Sequence, residues 1–371
     1  MKQNNKFLQL TLNLLKFHTY SGNESVMCAF VTEEMQRLGF KVKQDNSGNL
    51  FAIRGKADKY PLLNAHMDIV FGVDTVIEEL VMHEHIKETL ETLEVERKCA
   101  NCVNLYDCVA YATNDEYGNR WNDIYNKLLH DKSTAITCQS YMYDENYKDY
   151  FNYSSYSTQP YYYEYSANYS KNQLEYMDNH LNKHYEIKHD AQTGRITSNK
   201  LRILGGDDKC GIAIALQVAR EMPKMPMKLL FTVEEEVGCG GILEFCKKHA
   251  EWFGDVAYSL TIDRRDNDNL LMYSCGKRNC SLEFAAQLAS IGIRNGIFVK
   301  IEKGTLADVI YIRKYVENCV NISAGYFNSH SLNEYVDFLG MLNIKNWVKA
   351  ILEEVQISTH QTTKYLQQEA L

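Results

Sequence analysis

The sequence predicts an α/β fold, a sandwich on a largely parallel sheet, with an accessory domain inserted near its middle. Three observations predict it. From Ile203 onward, short apolar runs alternate with segments whose apolar residues recur every three or four positions, the pattern of strands crossing over through helices. The N-terminal part places two helical segments ahead of a hairpin and one long apolar strand. Between them, from about 76 to 196, the texture changes to a charged and then tyrosine-rich chain, which separates the two halves of the sandwich.

In chain order, the apolar spacing predicts helices over 5–17 and 24–38, the second closing at Gly39. "FKVKQD", the turn "NSGN" and "LFAIRG" read as two hairpin strands, and "YPLLNAHMDIV" as an apolar strand that ends in polar residues. "VIEELVMHEHIKETLETLEVERK" opens the middle stretch. It runs through "CANCVNLYDC" into 141–169, where eleven of 29 residues are tyrosine. After it, "LRILGG" leads into the helix "KCGIAIALQVAREM" and "MKLLFTV" into "GGILEFCKKH". "VAYSLTID" is a further strand, and "LGMLNIKNWVKAILEEV", beyond "ENCVNISAGY", is the last helix. The expected domains are 1–75 and 197–371 as two parts of one catalytic domain, with 76–196 inserted.

A chain of 371 residues suffices for a full core. A net charge of -8 argues against a general nucleic-acid binder, which needs a basic surface. Short peptides or other small molecules are the expected partners. No run approaches the roughly 18 apolar residues of a membrane span, and the N-terminal stripe is broken by Gln, Thr and Asn as in an amphipathic helix rather than a signal peptide. Eleven cysteines, an odd number spread through core-like segments, fit reduced thiols in a cytoplasmic protein.

In open α/β sheets the ligand crevice lies beyond the carboxyl ends of the strands. There the sequence places His66 and Asp68, Asp207 and Asp208, Glu234 to Glu236, Asp263, and His330. Each has an ordinary alternative alone: His66 a core histidine, Asp207 a helix N-cap, Asp263 a turn residue, His330 a loop residue, the glutamates a solvated face. Their recurrence at successive strand ends is poorly explained that way. Two histidines with several carboxylates suit two zinc-like ions, and two dications would neutralise three adjacent glutamates.

The ordered stretches "NAHMDIV", "LGGDDKCG", "FTVEEEVG", "LTID" and "SAGYFNSHSLNEYV" resemble the motifs of the di-zinc exopeptidase superfamily, among them tripeptidase T and the glutamyl and leucyl aminopeptidases. Residues 21–55 also resemble that group's N-terminal helix and hairpin. The resemblance covers roughly 1–75 and 200–340 and implies a three-layer sandwich with a mixed, largely parallel central sheet. It implies metal ligation by His66, Asp207, Glu236, Asp263 and His330, with Asp207 bridging two divalent ions, zinc foremost and cobalt or manganese as alternatives. It further implies that Glu235 is the general base, that Asp68 orients His66, that the peptide bond before Asp208 is cis, and that Glu234 is surplus. The implied activity is release of amino acids from the N-terminus of short peptides by a water activated between the ions. A carboxypeptidase or N-acyl-amino-acid deacylase is the alternative with the same site. An idle, peptidase-derived assembly module acting through the insertion is the alternative of another class.

The group's carboxypeptidase-like branch inserts a dimerisation lid between the positions of Asp263 and His330, yet only 67 residues separate them here. The extra sequence lies instead between His66 and Asp207, where the aminopeptidase branch carries its accessory domain, through which such enzymes often form homo-oligomers. Within it, Cys99, Cys102 and Cys108, with Cys138 as a fourth, raise a structural zinc as a minor reading against free thiols. His83 and His85, two apart, would diverge on a helix. Thr305 and Asp308 read as a helix cap, with a substrate-facing polar group as the alternative.

Overall fold

The computed structural model describes residues 2–70 and 181–355. Two helices open it, α1 (Lys2–Leu15) and α2 (Ser25–Arg37), then strands β1 (Lys41–Gln44), β2 (Leu50–Arg54) and β3 (Tyr60–His66). Strands β4 (Ile187–His189) and β5 (Arg195–Ser198) precede helix α3 (Gly206–Glu221), strand β6 (Met227–Thr232) and helix α4 (Gly240–Lys248). Next come β7 (Val256–Arg264), β8 (Asn269–Ser274), β9 (Lys277–Arg278), α5 (Leu282–Arg294), β10 (Lys300–Gly304) and α6 (Val309–Ile312). The described chain closes with β11 (Cys319–Ser323), β12 (Tyr326–Phe327), β13 (Tyr335–Asp337) and α7 (Phe338–Glu354).

The main sheet has nine strands, in the order β1-β2-β6-β3-β7-β11-β8-β10 with β9 beside β8. Its middle, β6, β3, β7 and β11, is parallel, whereas β2 meets β6 and β8 meets β11 antiparallel. The mixed, largely parallel sheet expected from the sequence is therefore present. Alternation along the strands produces two apolar layers. Leu63, Ala65, Leu229 and Phe231 face a core shared with α1, α2, α3, α5 and α7. Leu62 and Leu230 face the other way, onto Ile242, Phe245, Val309 and Ile312 of α4 and α6. This is the three-layer arrangement. Central strands β3 and β6 are buried throughout, as parallel strands covered on both faces must be.

A second, four-stranded sheet runs β12-β13-β5-β4. The chain divides into two units, one of Met1–Val70, Ile187–Asn199 and Ile203–Leu371, the other of Phe71–Glu186 with Lys200–Arg202. The sequence reading resumes the sandwich at 197, but β4 and β5 already pair with each other and β5 with β13, so residues 187–198 group with it. Between 264 and 318 the sequence reading names only the helix start at Thr305 and Asp308, where α6 follows, and misses β8, β9, α5 and β10. These elements, followed by β11 and β12, occupy the interval from Asp263 to His330, as its short length implied. Cys99, Cys102, Cys108 and Cys138, His83 and His85, and the tyrosine-rich stretch fall outside the described residues. Among the described residues no helix is long and apolar enough to cross a membrane.

Candidate metal centre

The parallel strands end at one edge of the sheet, and the chain places an acid or a histidine just there. His66 is the last residue of β3, level with Thr232 at the end of β6. Asp263 is the penultimate residue of β7. Asp207 and Asp208 stand at the start of α3, which packs on β3 and β7. That approach is close: a Cβ on Gly211 would lie 2.0 Å from the Ile262 carbonyl oxygen, so only glycine fits. His330 comes from the loop between β12 and β13 at φ 61°, a left-handed conformation uncommon outside glycine.

These side chains converge. His66 Nε2 lies 3.2 Å from Asp207 Oδ1, 3.5 Å from Asp263 Oδ1 and 3.9 Å from Glu235 Oε2. His330 Nε2 lies 3.0 Å from Glu236 Oε1 and 3.3 Å from Asp207 Oδ2. Asp207 thus directs one oxygen to each histidine. Three sets of ligand atoms, each within 4.8 Å, can hold a cation: His66 with Asp207 and Asp263, Asp207 with Glu236 and His330, and His66 with Glu235 and Glu236. The first two are the ligand sets implied by the sequence motifs, and they share Asp207. Glu234 enters none of them.

The electrostatics fit a missing positive charge. Burial pushes the carboxyls of Glu235, Glu236 and Asp263 upward, reinforced by neighbouring acids, and Glu236 reaches about 7. Burial alone would strip protons from His66 and His330, yet the carboxylates around them hold both well above the imidazole range, His330 at about 11. Asp207 is kept ionised by the two histidines despite its burial. The nitrogen and oxygen donor set is that of zinc-like ions.

A ring of further contacts orients these groups. Asp68 accepts from the amides of Glu235 and Glu236 at 3.0 and 3.1 Å. It also lies 3.4 Å from His66 Nδ1, although that nitrogen is nearer, 3.0 Å, to the Asp68 carbonyl oxygen. Asp208, after the cis bond to Asp207, turns away from the ligand sets and accepts from His66 N and Gly211 N. Three residues in or near the quoted motifs were given no role from sequence. Glu334 accepts from Gly205 N and Asp207 N at 2.7 and 3.0 Å, Tyr326 donates to Asp263 at 3.3 Å, and the Cys239 thiol lies 3.4 Å from Glu235 Oε1. Asp308 occupies the N-cap position of α6 but makes no side-chain cap bond. It is buried instead, with Oδ2 accepting from Thr232 at 2.5 Å and Asn64 at 3.1 Å, while Oδ1 has no hydrogen-bond partner. Burial raises it to about 6.

No protein-family model matches the sequence, and no curated protein matches it either. Solved structures do share its fold. An aminopeptidase of the archaeon Desulfurococcus kamchatkensis superposes with a TM-score of 0.57 at 16% identity, covering 95% of this chain and 96% of that one. The TET1 peptidase of Pyrococcus horikoshii, which can assemble into a tetrahedron or a large octahedral shell, gives 0.55 at 14%, covering 94% and 100%. The aminopeptidase PepT of Bacillus cereus gives 0.53 at 12%, covering 94% and 98%. At these identities the likeness is one of fold.

Proposed function

We propose that this protein is a metal-dependent exopeptidase that releases amino acids from the N-terminus of short peptides. The observation that carries the reading is the convergence of His66, Asp207, Glu235, Glu236, Asp263 and His330 at the carboxyl ends of adjoining parallel strands. His66, Asp207 and Asp263 would hold one divalent ion, and Asp207, Glu236 and His330 a second. Zinc is proposed, with cobalt or manganese as alternatives. Such ions supply Lewis acidity that activates water and polarises a carbonyl. Glu235 is the base: with Oε1 beside the Cys239 thiol, Oε2 is the oxygen that takes the proton from water and returns it to the leaving amine. Asp68 orients His66 and holds the base loop.

The aminopeptidase names of the solved structures support the N-terminal direction, and the shells of the P. horikoshii protein support assembly with further copies of this chain. The seven described cysteines, all unpaired, support a reducing cytoplasmic setting. The unit of residues 71–186 is proposed as an inserted accessory domain. The test is product analysis by mass spectrometry on free and N-acetylated di- to tetrapeptides with zinc- and cobalt-loaded protein. Cleavage of free peptides alone is expected. Cleavage of acetylated ones would point to a deacylase or carboxypeptidase, and no cleavage by metal-loaded protein would sink the enzymatic reading.

A further inference from the structure

The loop bearing the three glutamates is held by its backbone, and the holding groups come from elsewhere in the chain. Glu234 sits at φ 54°, in the left-handed region that is strained for a non-glycine residue. The next chain segment presses against it, since a Cβ on Gly241 would lie 2.1 Å from the Val233 carbonyl oxygen. Three successive amides of this loop donate to two buried carboxylates. Glu235 N and Glu236 N take the two oxygens of Asp68, and Glu234 N takes Glu24 Oε1 at 3.2 Å.

Both acceptors are tied to the loop that follows α1. Ser21 donates to Asp68 Oδ2 at 2.6 Å, and Gly22 N donates to the same Glu24 oxygen at 3.0 Å. Thr19 secures that loop against the end of β3, accepting from Ile69 N at 2.8 Å and donating to Met67 O at 2.7 Å. Ordinary helix chemistry does not account for Glu24. It stands at the N-cap of α2 yet makes no side-chain cap bond. It is buried, 5% exposed, where burial and then the nearby Asp68 disfavour its charge and raise it to about 7. A carboxyl kept in so unfavourable a place is explained by the two amides it joins.

We propose that Glu24 is a positioning residue for the general base, with Ser21 acting behind Asp68: together they fix the backbone of 234–236 so that Glu235 faces His66 while Glu236 reaches His330. The assignment rests on the reading of Glu235 as the base. Because hydrogen bonds to a backbone need an acceptor rather than a charge, the geometry distinguishes substitutions sharply. Glu24→Gln retains an oxygen at the same reach; Glu24→Ala removes it; Glu24→Asp keeps the charge but falls short by one methylene.

The test compares these variants, as full-length metal-loaded protein, in peptide hydrolysis and in hydrogen–deuterium exchange of the segment 233–240. Glu24→Ala is expected to lower kcat by about 10- to 100-fold with KM changed less than about twofold and metal content intact, the mark of a displaced catalytic group. Exchange of the segment should accelerate about tenfold or more as the amides lose their acceptor. Glu24→Gln should restore both, while Glu24→Asp should resemble the alanine variant and replaces it if that variant does not fold. Unchanged kcat and exchange in the alanine and aspartate variants, or a glutamine variant as impaired as they are, would overturn the proposal. Should the wild-type protein hydrolyse no peptide, the assignment of Glu235 fails, and the clamp stands or falls on the exchange data alone.

Discussion

Two buried clusters of charge at opposite ends of α3 treat the same kinds of side chain differently. At its C-terminal end Glu221 accepts from Lys345 and Lys349 of α7, both at 2.8 Å, and from Gln217 at 2.9 Å. At its N-terminal end Asp207 and Asp208 lie near Asp263, Glu235 and Glu236, with His66 and His330 among the described residues there. The first cluster is neutralised by the protein's own cations. In the second, burial drives Asp208, Asp263, Glu235 and Glu236 toward the protonated form, while the two histidines keep Asp207 ionised. An ionic cluster paired like the first is structural, whereas buried acids gathered around histidines with shifted titration are the pattern of a functional site.

The sharpest way to break this contrast is to alter the second cluster at the base alone. Glu235→Gln should reduce peptide turnover by about a thousandfold while metal binding persists; parallel kinetics and metal analysis check both. Removing a ligand tests metal binding itself. Zinc at about a hundred times its dissociation constant should stabilise the wild-type protein by about 2.7 kcal/mol. The His330→Ala and His66→Ala variants should lose most of the corresponding rise in melting temperature, as should wild-type protein treated with a chelator.

The first cluster predicts a smaller effect with a definite pH dependence. Burial raises the Glu221 carboxyl, but Lys345 and Lys349 outweigh it and bring it to about 2, below the ordinary 4.5. Its contribution is therefore complete above about pH 4.5 and vanishes as pH falls toward 2. Glu221→Gln should cost about 2 kcal/mol at pH 7 and flatten the acid limb of the stability curve, measured by denaturant unfolding at several pH values. The smallest effect belongs to an exposed pair. Arg37 on α2, 60% exposed and bonded to Glu33 and Glu34, should change stability by less than about 0.5 kcal/mol when replaced by alanine. A larger loss there would mean that exposed pairs matter as much as the buried network.

Much of the site was legible because metal-type chemistry uses few residue types and the fold gathers strand ends. His66, Asp207, Asp263, Glu235, Glu236 and His330 all stand beside recognisable apolar runs. Less legible was the chain from 264 to 318, although Ser281 followed by the periodic "LEFAAQLASIGIR" is a helix start whose serine side chain does accept from Phe284 N. Asp308 read as a cap from its position before a helix, but its partners Thr232 and Asn64 lie 76 and 244 positions away. Nothing local announces such contacts.

By itself the sequence determined most elements outside 264–318, which faces are apolar, and which acids and histidines end the strands, because periodicity and residue chemistry are local properties. Only the tertiary structure decided that Asp207 shares its two oxygens between His66 and His330, that Glu334 and Tyr326 hold Asp207 and Asp263, and that Glu24 and Asp68 take the amides of residues 234–236. Those relations depend on strand order and on loops that meet across some 200 positions of chain, and hydrogen bonds register distances of tenths of an ångström that no spacing along a sequence encodes.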